Sequence, residues 1–172
     1  VRANTKAPIT TADDYNFWNK PESQTVAAEI DFIVLHAYAM WNSQQLDHAV
    51  QWTDSVYQDI KTRYPEMTIA FGETGWATVY NAEKTGPGEQ GSLIKGEVSI
   101  AAQEKFLSDL NHWIEKNKVT TFLFEAFDEP WKGGGLQSGP TEVEKNWGVF
   151  NEDRTPKDSF TNYLKQKNES SN

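Results

Sequence analysis

The chain has 172 residues, 37% of them apolar, enough to bury roughly 70% of its unfolded surface around one core, which excludes a short peptide or a disordered tail. Asp and Glu outnumber Lys and Arg by 25 to 16, a formal charge of -9 that argues against a nucleic-acid partner, and no apolar run approaches the roughly 18 to 20 residues of a membrane span. The lack of such a run makes a soluble chain the expectation, and the absence of cysteine excludes disulfide and thiol chemistry.

Residues 7–10 read as a short first strand, and Thr11, with Asp13 and Asp14 behind it, as the start of a helix reaching Trp18. The apolar run 31–37 has the character of a strand buried on both faces. Leu46, Ala49, Val50, Thr53, Val56, Tyr57 and Ile60 then recur with helical spacing, predicting an amphipathic helix that ends near Tyr64 and Pro65. Residues 68–72 form a third strand. A long connection, 79–96, carries Gly86-Pro87-Gly88 and is expected to be functional or mobile. It leads to a helix marked by Ala102, Phe106, Leu110 and Trp113. Residues 120–127 give a fourth strand, followed by a glycine-rich loop over 133–139, the segment 147–150, and a last helix carrying Phe160, Tyr163 and Leu164. The polar residues 165–172 are expected to be a frayed tail.

Strands alternating with helices predict an α/β fold on a parallel sheet. A complete eight-stranded barrel takes about 250 residues, so four strands over 1–164 have the count of half a barrel. In such sheets reactive groups gather beyond the C-terminal strand ends. That rule selects Thr10 and Thr11; His36, Tyr38 and Trp41; Glu73 and Trp76; and Glu125, Phe127, Asp128, Trp131 and Lys132.

Glu73 leaves an apolar strand beside Thr74-Gly75-Trp76, either as a reactive carboxylate next to an aromatic plate or as an ordinary strand-end acid. Glu125 lies inside an apolar run, where an unpaired carboxylate is costly, so an ion pair with Lys132 and a substrate role stand side by side. His36 reads as a hydrogen-bonded core histidine. The three histidines have no ligand spacing, and the glycines at 86–91 lack the ending of a phosphate loop, so neither a metal nor a cofactor is expected. Seven Trp either fill the core or offer flat surfaces for sugar stacking.

Gly72-Glu73-Thr74-Gly75-Trp76, then Glu125-Ala126-Phe127-Asp128-Glu129-Pro130-Trp131-Lys132, then Asn146-Trp147-Gly148-Val149-Phe150 resemble, in that order, glycoside hydrolase family 17. The segments at 8–13 and 31–38 look like the two preceding strands of the same family. The resemblance covers nearly the whole chain and implies half of a TIM barrel, barrel strands five to eight, acting on β-1,3-glucan by retaining hydrolysis or glucanosyl transfer. It implies Glu73 as the nucleophile, Glu125 and Lys132 in the polar sugar-binding set, and Tyr38, Trp41, Trp76 and Trp131 as stacking residues, with Phe127 and Asp128 beside them. The chain departs from the family in Ala77-Thr78 after the nucleophile motif and in Ala39-Met40 before Trp41. The family's general acid/base sits in an Asn-Glu pair on strand four, and no Asn-Glu here follows a matching strand. Completion of the barrel by an N-terminal half or by a homodimer is therefore expected. The alternative is a non-catalytic carbohydrate-binding or scaffold half-barrel. Relatives of this kind are secreted or belong to the cell envelope.

Overall fold

The computed structural model describes residues 1–133 and 138–169. Four parallel strands, β1 (Ala12–Asp14), β2 (Phe32–His36), β3 (Thr68–Thr74) and β4 (Thr121–Leu123), form one sheet in chain order. The helices between and after them are α1 (Tyr15–Trp18), α2 (Ser23–Ala27), α3 (Leu46–Arg63), α4 (Gln90–Leu93), α5 (Ile100–Asn117) and α6 (Asp158–Glu169). This is the α/β, four-strand arrangement predicted for a half-barrel.

The two long helices follow their patterns. Ala49, Thr53, Val56 and Ile60 form the buried stripe of α3, which stops where Tyr64 leaves the helical region ahead of Pro65. The side chain of Ser99 caps α5 by accepting from the Ala102 amide at 3.0 Å, and Lys118, at φ 56°, closes its far end. Phe71 of β3 meets Tyr57 of α3 and Trp113 of α5, with ring centroids 6.2 and 5.7 Å away. Leu35 pairs with Phe71 across the ladder and joins it in the core, so one face of the sheet lies under these helices. Burial of each such side chain is worth roughly 1.5–3 kcal/mol.

Both edges of the sheet stand open among the described residues, since β1 pairs only with β2 and β4 only with β3. Phe122, between two residues paired with β3 on the helix side, is 61% exposed on the opposite face. Among the described residues no helix is long and apolar enough to cross a membrane.

Five elements differ from expectation. The first strand is 12–14, not 7–10: Pro8 has no N–H to give a ladder, and Ile9 and Thr10 instead bond the Asp31 carboxylate and the Phe32 carbonyl at 2.7 and 2.6 Å. The helix behind it shrinks to α1, capped by Asp14, whose side chain accepts from the Asn16 amide at 2.8 Å. The fourth strand keeps regular pairing only to Leu123. Beyond a cis Phe124–Glu125 peptide, residues 125–128 bond to 147–150 instead, as in Phe150 N–H to the Ala126 carbonyl at 2.9 Å. At the C-terminus α6 continues through Glu169, past the predicted start of the tail; residues 134–137 of the glycine-rich loop and 170–172 lie outside the described residues. The short helix α2 carried no periodic signal. It is held by Ser23, whose hydroxyl meets the Tyr64 hydroxyl at 2.7 Å in the core.

Candidate active site

Glu73 reaches the rim because β3 runs three residues beyond Phe71 through an irregularity in its pairing, which sets Glu73, rather than Gly72, opposite His36. Gly72 is required there: a Cβ would fall 2.3 Å from Val34 Cγ1 and 2.9 Å from His36 Nε2. Two groups from β2 and the turn after it hold the carboxylate. The Tyr38 hydroxyl donates to Glu73 Oε2, and His36 Nδ1 lies 3.2 Å from the same oxygen. Burial, reinforced by the neighbouring Glu73, raises the Tyr38 pKa far above its ordinary value, so the phenol stays a donor. Its ring is fixed by edge contacts with Phe124 and Trp147, at 5.6 and 5.3 Å. Gly75 lets the chain after Glu73 pass close to Phe124, whose carbonyl oxygen would lie 2.0 Å from any Cβ.

Next to this pair lies a lysine shared by two carboxylates. Lys132 Nζ is 2.7 Å from Glu125 Oε2, pairs with Glu129, and stands 4.5 Å from the centre of the Phe124 ring. Burial opposes its charge, but the two carboxylates prevail and raise its pKa. Glu129, more exposed, is held below the usual carboxylate range by its bond to Lys132. Glu125 behaves oppositely: burial pushes it up to about 7 against the pull of Lys132, and its Oε1 is buried without a hydrogen-bond partner among the described residues. The ion pair anticipated for Glu125 is therefore present, and the neighbouring Glu129 carboxylate adds to the upward pull on its pKa.

A further carboxylate, Glu144, escaped the sequence reading. It lies in a single 3-10 turn, Val143–Lys145, and burial raises its pKa while Lys132 and the indoles of Trp41 and Trp147 favour its charge. The buried Trp147 Nε1 acts there as a nearby dipole and makes no well-formed hydrogen bond among the described residues. Its only sequence signal is its place two residues before Asn146-Trp147-Gly148.

Tyr38, Trp41, Glu73, Glu125 and Lys132 are thus brought into one rim cluster. Other predicted rim residues stand apart from it. Trp76 is 1% exposed, stacks on Phe106 of α5 and donates its Nε1–H to the Glu97 carbonyl at 2.9 Å, so it is a core residue and offers no open face to a sugar. Asp128 is turned into a structural pair: its Oδ1 accepts from the Gly148 amide at 3.0 Å and from buried Lys157 at 2.8 Å. Phe127 packs on Phe150 with Arg154 over its ring. Trp131, 73% exposed, is the open indole at this end. Among the described residues no group of three or more His, Asp or Glu is placed to hold a metal ion.

A carboxylate fixed at a strand end, with further carboxylates and indoles beside it, is an arrangement also met in α/β-barrel enzymes that cleave or transfer glycosidic bonds. Comparison with known proteins narrows the class. Residues 1–148 match the model of the BtgE/BtgC glycoside hydrolase domain, and the chain belongs to that family and to glycoside hydrolase family 17. A glucan 1,3-beta-glucosidase of Arthroderma benhamiae is 30% identical over 171 residues, covering 88% of this chain and 49% of the relative. The structure of a family 17 beta-1,3-glucanosyltransferase from Rhizomucor miehei superposes with a TM-score of 0.69 at 26% identity, covering 88% of this chain and 49% of that one, and an active-site mutant of the same enzyme was solved with laminaritriose. An endo-laminarinase from Formosa shares the fold at a TM-score of 0.73 and 20% identity, over 95% of this chain and 48% of that one. The chain spans about half the length of these relatives.

Proposed function

We propose that this chain carries the nucleophile half of a retaining β-1,3-glucan hydrolase or glucanosyltransferase, with Glu73 as the nucleophile. The observation that carries the reading is the hold on its carboxylate: the Tyr38 hydroxyl and His36 both address Oε2, at the end of a parallel strand, where an incoming anomeric carbon has access. Glu73 attacks that carbon and forms a glycosyl ester while a second carboxyl protonates the departing oxygen. Water, or the hydroxyl of another sugar, then releases the glycosyl unit with the same second group acting as base. Such a partner carboxyl must stand about 5–5.5 Å from the nucleophile. The reading assigns it to four further barrel strands, supplied by an N-terminal half or by a second copy of this chain. Open edges at β1 and β4 and an exposed Phe122 support that closure. Glu125, Lys132, Glu129, Trp41 and Glu144 line the sugar-binding rim, with Trp131 as an outer stacking surface.

Two measurements test this. Light scattering over a concentration series distinguishes a dimer closing its own barrel from a monomer awaiting a separate half. Incubation of the assembled barrel with a 2-deoxy-2-fluoro laminaribiosyl donor, followed by peptide mass spectrometry, locates the ester. Label on Glu73, lost in Glu73→Gln, is expected; an assembled barrel without turnover, or label elsewhere, refutes the assignment. Binding of laminari-oligosaccharides with no cleavage by the assembled barrel would favour a non-catalytic carbohydrate-binding module.

A further inference from the structure

The 79–96 connection, expected from its length to be functional or mobile, is tied to the segment that carries Glu144. Gln90, at the start of α4, is 5% exposed. Its Oε1 accepts from the Asn81 amide at 2.7 Å, within the connection, and from the Val143 amide at 3.1 Å, outside it. Its Nε2 donates to Glu142 Oε2. Glu142 is itself 4% exposed, and its Oε1 meets Lys84 Nζ at 2.6 Å. A carboxylate so deeply buried is tolerated only when paired, and both of these partners come from the connection.

A second tether lies on the other side of Glu144. The Asn146 carbonyl accepts from the Thr78 amide at 2.9 Å and from the Thr78 hydroxyl at 3.2 Å. Glu144 is therefore suspended between two anchored residues, Val143 and Asn146, and both anchors belong to the chain leaving β3. The same strand that delivers Glu73 to the rim thus governs where a second carboxylate stands.

We propose that Gln90 and Glu142 are positioning residues that hold Glu144 against Trp41, Trp147 and Lys132, so that the β3–α5 connection fixes the shape of the sugar-facing rim. This rests on the carbohydrate reading for its purpose, but its test requires no turnover. Gln90→Glu removes the amide donor and sets a second carboxylate against Glu142. The exchange Gln90→Glu with Glu142→Gln restores a donor facing an acceptor at unchanged net charge. In the full chain, the pH titration of the Glu144 side-chain carbon and the indole N–H resonances of Trp41 and Trp147 are followed by NMR. Expected is a fall of the Glu144 midpoint toward that of an exposed glutamate and a shift of both indoles in Gln90→Glu, with all three returning in the exchange variant. A folded Gln90→Glu protein with unchanged signals, or an exchange variant that fails to restore them, overturns the proposal. Should Gln90→Glu fail to fold, hydrogen exchange on the unsubstituted chain decides: the Asn81 and Val143 amides, which share one acceptor, are expected to be protected together, and an unprotected Val143 amide overturns it. Loss of the glycosidase reading leaves these signals untouched, so the two ideas fail separately.

Discussion

Replacing Glu125 by Gln isolates the cost of keeping a carboxylate inside the rim. Burial holds its pKa at about 7, compared with an ordinary value of 4.5, despite Lys132 at 2.7 Å. The folded chain therefore binds a proton that the unfolded chain has already released, and stability falls as pH rises between those values. The penalty is absent below the unfolded pKa and complete above about pH 7. At about 1.4 kcal/mol per pH unit, the gap corresponds to roughly 3 kcal/mol. Gln has no such proton to lose. Urea unfolding of both proteins, near pH 4.5 and near pH 8, gives a double difference in which the titrating groups that do not touch Glu125 cancel. The stability of Glu125→Gln relative to the parent is expected to rise by roughly 3 kcal/mol from the lower to the higher pH, a net figure that already includes the attraction of Lys132. A relative stability that stays constant across that range would show that Glu125 titrates alike in the folded and unfolded chains and refute the reasoning.

Trp76→Ala should destabilise the fold by roughly 3–5 kcal/mol in urea unfolding, because it empties a core site against Phe106, whereas exposed Trp131→Ala should leave stability within about 0.5 kcal/mol. In the assembled barrel Trp131→Ala should weaken laminaritriose binding roughly 2- to 10-fold by calorimetry, the loss of one stacking contact. Gly72→Ala should cost roughly 1–3 kcal/mol and move the His36 ring resonances, since the added methyl enters the space of Val34 and His36; unchanged resonances would show that the ring does not depend on this gap. Lys157→Ala should cost roughly 3–5 kcal/mol in denaturant unfolding by leaving Asp128 without its buried partner, and Lys157→Ala with Asp128→Ala should recover part of that loss.

Much of the architecture was legible because it rests on periodicity. The stripes of α3 and α5 and the apolar runs at 31–37 and 68–72 speak for themselves, since nothing else in the molecule competes for those faces. The first strand was not legible. Ile9 and Thr10 have strand-like chemistry, but Asp31 and Phe32 capture their polar groups, and the ladder forms five residues later on the less apolar Ala12–Asp14. At the site, Glu73, Tyr38 and the Glu125–Lys132 pair followed from position after a strand. Trp76 did not: adjacency to Glu73 in sequence says nothing about which side of the sheet its indole takes, and the Glu97 carbonyl and Phe106 draw it inward. Asp128 is likewise withdrawn by Lys157, 29 residues away. Glu144 was hidden for the converse reason, because its surroundings come from distant segments that only the fold assembles.

Gln103 of α5 links all of these levels. Its Nε2 reaches the carbonyls of Trp76 at 2.9 Å and Gly148 at 3.1 Å, and its Oε1 accepts from the Ser159 hydroxyl of α6 at 2.5 Å. One amide on the helix side of the sheet therefore acts as a keystone for the chain behind Glu73, the chain behind Trp147 and the final helix. A substitution that reaches Gln103 therefore removes hydrogen bonds from three segments at once, so one side chain loosens both supports of the rim together with α6.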